Sequence, residues 1–393
     1  MLWSALVPSL AAFKLAKGTP AAPASPAHGP SSNRPRTAFD IQAHRGGRGD
    51  VVENTLPAFA WALINGATTL ELDNGITKDG VVIVWHDENI VPEKCKDTLP
   101  AFPGDPDFPY VGKLVADLTL DQIKTLDCGT NRLEDYPLQA TYPGTRISTL
   151  QEFFDFVGCA DPTHEILMNI ESKIDAEFPN RTKSVDEFVW RQHALFSASA
   201  YARAITYQSF DWRTLVGMKA RDPAIKVSGL VDDDTLYEPG VPSPWFAGRD
   251  VDAYPGTTRG VRLAQMAAAL GLDILSPIAT SLKSPTREPH EPAYVPFTTE
   301  EMIREGHRLG LAVKPWTVNR LNVADRLVMW GVDGLITDYP DATRRWAKGR
   351  GMPIAPRYPS SRVLACLAKH NQVATPVLAA APPPSARARS TEL

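Results

Sequence analysis

Several absences narrow the reading of this sequence at once. No apolar run reaches the ~18 residues that a membrane-crossing helix needs, so no transmembrane segment is expected. Basic residues are not in excess: 41 Lys and Arg stand against 45 Asp and Glu, for a net charge of −4. Both signs are spread along the chain, which argues against a nucleic-acid partner. The four cysteines, Cys95, Cys128, Cys159 and Cys366, include no CxxC pair, so a zinc knuckle or a thioredoxin-type site is not expected. Three of them, Cys95, Cys128 and Cys159, lie in or beside one segment and could bridge in an oxidising compartment. The sequence has neither HxH nor HExxH, which excludes a metallo-amidohydrolase barrel. The glycines of His44-Arg45-Gly46-Gly47-Arg48-Gly49 are not in GxGxxG order, so a doubly wound dinucleotide fold lacks its phosphate loop.

What is present suits a globular protein with a sizeable core, at 43% hydrophobic and 22% charged residues. The ends are of different material. Residues 1–38 combine a weakly apolar start with a Pro, Ala and Ser-rich stretch, which reads as a signal-like or disordered segment and leaves localisation open between secreted and cytoplasmic. Residues 351–393 hold a possible helix at 362–370 and an Ala/Pro-rich tail, and read as a peripheral or disordered extension. Between them, strands are expected to start at 39, 69, 166, 204, 225, 273, 311 and 333, separated by helices. Eight such repeats give an α/β fold, a (β/α)8 TIM barrel over 39–350. Residues 88–147, interrupted by prolines, read as an insertion.

The stretch 68–87, TTLELDNGITKDGVVIVWHD, organises the chemistry. Glu71 and Asp73 are two apart in a β-type run, so both side chains leave one face of a strand and form a claw for a hard cation. The turn at Lys78-Asp79-Gly80 starts a hairpin that returns His86 toward that pair. In a barrel the strand carboxyl ends share one face. The polar residues there are His44 and Arg45, Glu71 and Asp73, Glu171 and Lys173, Ser209, Trp316 and Asp338. Three carboxylates offer oxygen ligands for Mg²⁺ or Ca²⁺. Arg45 and Lys173 suit a phosphate, and His44 and His86 can exchange protons near neutral pH. Together these describe phosphodiester cleavage. Trp316 reads equally as a substrate wall or as core, and Ser209 and Asp338 equally as caps or supporting hydrogen bonds.

The motifs AHRGG, ENTLPAF, ELDNGITKDGVVIVWHD, NIESK, QSFD, KPWTVN and GVDGLITDYP, in that order over 41–340, resemble the glycerophosphodiester phosphodiesterase family, a phospholipase-C-like phosphodiesterase barrel. The resemblance implies a (β/α)8 barrel that hydrolyses glycerophosphodiesters to sn-glycerol 3-phosphate and an alcohol with one divalent cation. It implies metal ligation by Glu71, Asp73 and Glu171, acid and base roles for His44 and His86, and phosphate contacts from Arg45 and Lys173. Glu53 belongs to the ENT motif, in the site or orienting Arg45, and the insertion after His86-Asp87 is a family feature. Val52 stands where the family usually has proline. Two other functions fit the same residues: a lysophospholipase D-like or sphingolipid phosphodiesterase, and a noncatalytic barrel that binds a phosphate ligand. A lysolipid substrate would need an apolar rim, for which Phe102, Phe108, Tyr110 and Trp245 are candidates.

Overall fold

Eight short parallel strands, buried over nearly all their length, close on one another and are covered by helices. The computed structural model describes residues 38–371. Its strands are β1 (Asp40–Ala43), β2 (Thr69–Ile76), β3 (Val82–Val84), β4 (Leu167–Ser172), β5 (Ile205–Ser209), β6 (Lys226–Val231), β7 (Ile274–Pro277), β8 (Ala312–Val313) and β9 (Gly334–Thr337). The helices are α1 (Leu56–Asn65), α2 (Leu120–Ile123), α3 (Leu150–Ala160), α4 (Val185–Ala198), α5 (Trp212–Arg221), α6 (Arg259–Ala269), α7 (Glu300–Arg308), α8 (Leu321–Met329), α9 (Pro340–Gly349) and α10 (Ser360–His370). The strand order is β8-β7-β6-β5-β4-β2-β1-β9, with β3 antiparallel on β2. Hydrogen bonds from Asp333 N to Val313 O (3.0 Å) and from Ile336 N to Pro315 O (2.9 Å) join β9 to β8 and close the ring. No helix of the described residues is long and apolar enough to cross a membrane.

Strand periodicity sorts the side chains. On β2, Leu70 and Leu72 enter the apolar layer shared with the helices, whereas Thr69, Glu71 and Asp73 belong to the other set. The lower part of the barrel interior is polar. Asn169 Nδ2 donates to Gln42 Oε1 and Gln208 Oε1, both at 2.8 Å, Gln42 Nε2 donates to Asp40 at 2.8 Å, and Lys314 Nζ pairs with Asp40 at 2.8 Å. These linked groups form a floor beneath the site, in which Asn169 Oδ1 alone is buried without a hydrogen-bond partner among the described residues.

The hairpin strand β3 has two apolar faces. Val82 and Val84 join the barrel core, while Ile83 and Trp85 join a second cluster with Ile90, Tyr110, Val115, Leu118, Ile123 and Leu126 of the insertion. Residues 88–147 therefore have a core of their own, built onto the back of the hairpin and stapled by the Cys95–Cys128 disulfide. Tyr110 is fully buried in that core and Phe108 packs against it, so neither forms an apolar rim.

Two expectations change at the C-terminal side. A helix not foreseen, α9, follows β9, with Pro340 pre-set for its first turn. The segment 360–370 is docked: Val363, Cys366 and Leu367 enter the main core, and Cys366 bonds to Cys159 of α3 across 207 residues. Cys159 thus pairs with the distant cysteine, and Cys95 with Cys128. The remaining tail and the signal-like segment lie outside the described residues.

Closing so long a loop restricts the unfolded chain, so Cys366→Ser is expected to destabilise the oxidised protein by about 2–5 kcal/mol. Denaturant unfolding checks this, and an unchanged midpoint would show that the bond does not constrain the fold.

Candidate active site

The inward positions of successive strands, followed to their carboxyl ends, assemble one pocket. In register, Asp73 of β2 stands beside Glu171 of β4, and Glu171 beside Gln208 of β5. Two residues further along come Lys173 and Phe210, and across the barrel lie Trp316, Ile336 and His44. An inner pocket of about 40 Å³ is lined by His44, Arg45, Glu71, His86, Glu171, Lys173, Gln208, Phe210, Leu230, Trp316 and Ile336. Of the nine residues given a metal, acid–base or substrate role from the sequence, seven (His44, Arg45, Glu71, His86, Glu171, Lys173 and Trp316) line it, and Glu53 and Asp73 do not. Asp73 adjoins it, because Glu71, Asp73 and Glu171 each place a carboxylate oxygen within 4.8 Å of the others.

Three buried carboxylates this close repel one another. Burial first, and then Asp73 and Glu171, push the Glu71 carboxyl well above its ordinary range. Glu171 is pushed up to about 7, mainly by burial, with Lys173 opposing. Asp73 goes the other way: burial would raise it, but Arg45, His86 and Lys173 hold it below the usual range. The oxygens Glu71 Oε1 and Asp73 Oδ1 are buried with no hydrogen-bond partner, which buried polar atoms rarely tolerate. Oxygen donors in such a set fit a hard divalent cation, so these three residues could hold one.

The loop after β1 supplies the counter-charge. Arg45 has a left-handed backbone (φ 53°), a conformation that costs a non-glycine residue about 1–3 kcal/mol. It brings Arg45 N to Glu71 Oε2 at 2.7 Å and Arg45 Nε to 3.2 Å from Asp73 Oδ2. Gly46 follows, also left-handed, where an added Cβ would fall 2.7 Å from that of Ala58. The three residues of ENT divide the support. Glu53 accepts Arg45 NH1 at 2.9 Å, Asn54 Nδ2 donates to Asp73 Oδ2 at 2.7 Å, and Thr55 Oγ1 caps α1 at Ala58 N. Glu53 thus sits behind Arg45 and outside the inner pocket. Although its burial would raise it, Arg45, Lys94 and Arg48 hold its carboxyl far below the usual range.

Each histidine is held by an aspartate, and each aspartate by the insertion. His44 Nδ1 lies 2.6 Å from Asp338 Oδ1. Asp338 also accepts Arg48 Nε at 2.9 Å, Asn319 Nδ2 at 2.7 Å and the Tyr136 hydroxyl at 2.8 Å. Burial would raise the Asp338 carboxyl, but His44 and Arg48 keep it ionised. His86 Nδ1 lies 3.0 Å from Asp87, whose other oxygen takes Lys94 Nζ at 2.5 Å, and Lys94 also reaches Glu53 at 2.7 Å. Burial lowers both imidazoles. For His44 Asp338 opposes the shift, and for His86 Arg45 and Lys173 add to it.

Phe210 stacks edge-on against Trp316 at 5.3 Å, and Trp316 Nε1 is tied to Ser276 O at 2.9 Å. Ser209 is a supporting residue: its Oγ donates to Ser172 O and accepts from Asp211 N, both at 3.1 Å. Sequence reasoning passed over Asn54, Arg48, Lys94 and Tyr136, and undervalued Asp338. Phe210 was readable, since it lies two residues beyond Gln208 on the same strand face. Nothing local marks Lys94 or Tyr136.

The glycerophosphoryl diester phosphodiesterase family model matches residues 44–342. The chain belongs to that family. As a glycerophosphodiester phosphodiesterase it is a phosphoric diester hydrolase. It is 29% identical over 306 residues to the glycerophosphodiester phosphodiesterase of Caldanaerobacter subterraneus subsp. tengcongensis, covering 77% of this chain and 94% of that one. A Silicibacter pomeroyi structure named for the same family superposes with a TM-score of 0.64 at 26% identity, over 81% of this chain and 96% of that one. A phosphodiesterase from Oleispira antarctica, solved with the product sn-glycerol-3-phosphate, shares the fold at 17% identity and a TM-score of 0.54, over 79% of this chain and 97% of that one.

In this phosphodiesterase Glu53 is the shared anchor of three cations. Glu53→Gln keeps its shape but leaves Arg45 and Lys94 short of a negative partner. It is expected to destabilise the protein by about 3 kcal/mol, and a thermal or denaturant midpoint equal to wild type would count against the anchoring role.

Proposed function

We propose that the protein hydrolyses glycerophosphodiesters to sn-glycerol 3-phosphate and an alcohol, with a divalent cation, Mg²⁺ or Ca²⁺, held by Glu71, Asp73 and Glu171. The observation that carries the reading is the pair of buried, unpartnered oxygens on Glu71 and Asp73 in a pocket that also presents two histidines and two cations. When bound, the cation supplies charge stabilisation at the phosphoryl oxygens. Arg45 and Lys173 add positive charge from the protein, and Glu171 fixes Lys173 Nζ at 2.7 Å. The product found in the Oleispira antarctica structure is the one proposed for this reaction.

Both histidines present Nδ1 to an aspartate, so their positions relative to the two pockets are what favour different roles. Ionised Asp338 accepts a hydrogen bond from His44 Nδ1–H, which leaves Nε2 with a lone pair, as a general base requires. His44 therefore removes the proton from the attacking water as its oxygen bonds to phosphorus. His86 borders both the inner pocket and a larger outer cleft, on the way out for the alcohol, and donates a proton to its oxygen as the P–O bond breaks. Burial disfavours the charged imidazolium of His86, and the anionic phosphodiester arriving beside it offsets that cost. The two disulfides favour an oxidising compartment.

Release of glycerol 3-phosphate from a panel of glycerophosphodiesters tests the reading. Chelation is expected to lower the rate by at least about a hundredfold and added Mg²⁺ or Ca²⁺ to restore it; full activity after exhaustive chelation would remove the cation from the mechanism. Asp338→Asn is expected to lower kcat by about 10²–10⁴-fold with a smaller change in KM. An unchanged kcat would take the base role from His44.

A further inference from the structure

The outer cleft, of about 450 Å³, shares His86, Glu171, Lys173 and Phe210 with the inner pocket. An alcohol departing past His86 enters it directly. We propose that this cleft selects phosphodiesters whose alcohol carries a positively charged amino group, a quaternary or primary ammonium, over those with a neutral polyol; the inference rests on the reaction proposed above.

Charge is the first reason. The cleft is lined by Asp87, Glu88, Glu177, Asp232 and Asp234. Two of these are matched: Asp87 by Lys94 and His86, and Glu88 by Arg181 at 3.3 Å. Glu177, Asp232 and Asp234 have no Lys or Arg partner within ion-pair distance among the described residues. The Lys173 ammonium at the inner edge is bound to Glu171. Asp232 is only 9% exposed. Its Oδ1 accepts the backbone N–H groups of Asp234 and Thr235, both at 3.1 Å, while its Oδ2 accepts no hydrogen bond among the described residues. A neutral polyol could donate hydrogen bonds to these carboxylates but would displace their water while leaving the charge unmatched.

The aromatic wall is the second and independent reason. Trp316, Phe210 and Trp245 form a run of edge-to-face contacts, 5.3 Å and 6.4 Å between ring centres, that leads from the inner pocket into the cleft. Lys173 Nζ already lies 5.5 Å from the centre of the Phe210 ring. Trp245 carries the wall onward, and its Nε1 donates to Glu177 Oε1 at 3.4 Å; the Tyr237 hydroxyl donates to the same oxygen. Both donors are neutral, so they aim Glu177 without cancelling its charge. An aromatic face beside oriented carboxylates attracts an ammonium through the ring quadrupole and the charge together. With the proposed cation bound, the site would thus be polarised along the substrate, cationic at the phosphate and anionic at the alcohol. The acyl chain of a lysolipid would have to lie against the same three carboxylates.

The full-length protein with its activating cation should be compared on glycerophosphocholine and glycerophosphoglycerol. The kcat/KM ratio is expected to favour the cationic substrate by at least about tenfold. It should fall toward one in Glu177→Gln/Asp234→Asn, whose exposed and shape-conserving changes leave folding intact, and fall separately in Trp245→Leu. Tetramethylammonium should inhibit the wild-type enzyme competitively and the double variant at least about tenfold less. Equal kcat/KM for the two substrates in the wild type, or a ratio unchanged in both variants, would overturn the inference while leaving hydrolysis established. Turnover of neither substrate would instead remove the reaction on which it rests, and this inference with it.

Discussion

Three carboxylates held within 4.8 Å of one another in the buried end of a barrel are the constraint that the surrounding structure answers. Like charges in a low-dielectric interior repel strongly, and each ionised oxygen left without a partner adds a desolvation cost. The chain meets this in layers. Arg45 adopts a strained backbone to place both its amide and its guanidinium on the acidic group. Asn54 takes one oxygen of Asp73, and Lys173 takes one of Glu171. Glu53 then keeps Arg45 charged and in position from behind. What remains unmatched is the inward side of Glu71 and Asp73, where a cation would complete the set.

The insertion is part of this arrangement. It hangs on the outward face of the hairpin that carries His86, and Trp85, its neighbour, is anchored in the insertion core. From there Lys94 reaches Asp87 and Glu53, and Tyr136 reaches Asp338. Both histidines therefore depend for their orientation on a segment outside the barrel repeat. The Cys95–Cys128 disulfide sits next to Lys94, which limits the freedom of the residue that links the two halves of the network. Rigid support of this kind is what proton transfer at fixed atoms requires.

The barrel was legible because strand burial writes a local pattern. In Thr69 to Ile76 the apolar residues alternate with Glu71 and Asp73, and the same period places Glu171 with Lys173 and Gln208 with Phe210. Helix starts carry a local signal too: the side chains of Thr55, Thr149, Thr258 and Thr299 cap α1, α3, α6 and α7. The misses share a physical cause. Helix α9 starts at Pro340 without a side-chain cap, so its first turn looks like a break. Helix α10 was read as loose because its anchor, Cys159, is 207 residues away.

Residue types and their two-residue spacing determined by themselves which groups share a strand face, and hence the acidic pair and the alignment of Glu171 with Lys173; the histidines and Arg45 were marked by residue type at strand ends. That information is local, because successive side chains on a strand alternate by geometry alone. Only the tertiary structure decided which group supports which: that Glu53 backs Arg45 instead of entering the pocket, that Asp338 holds His44 from 294 residues away, and that Lys94 and Tyr136 join the network from the insertion. Those relations depend on loop closure and on burial, which set the distance between charges and the strength of their interaction, and neither is written in the order of neighbouring residues.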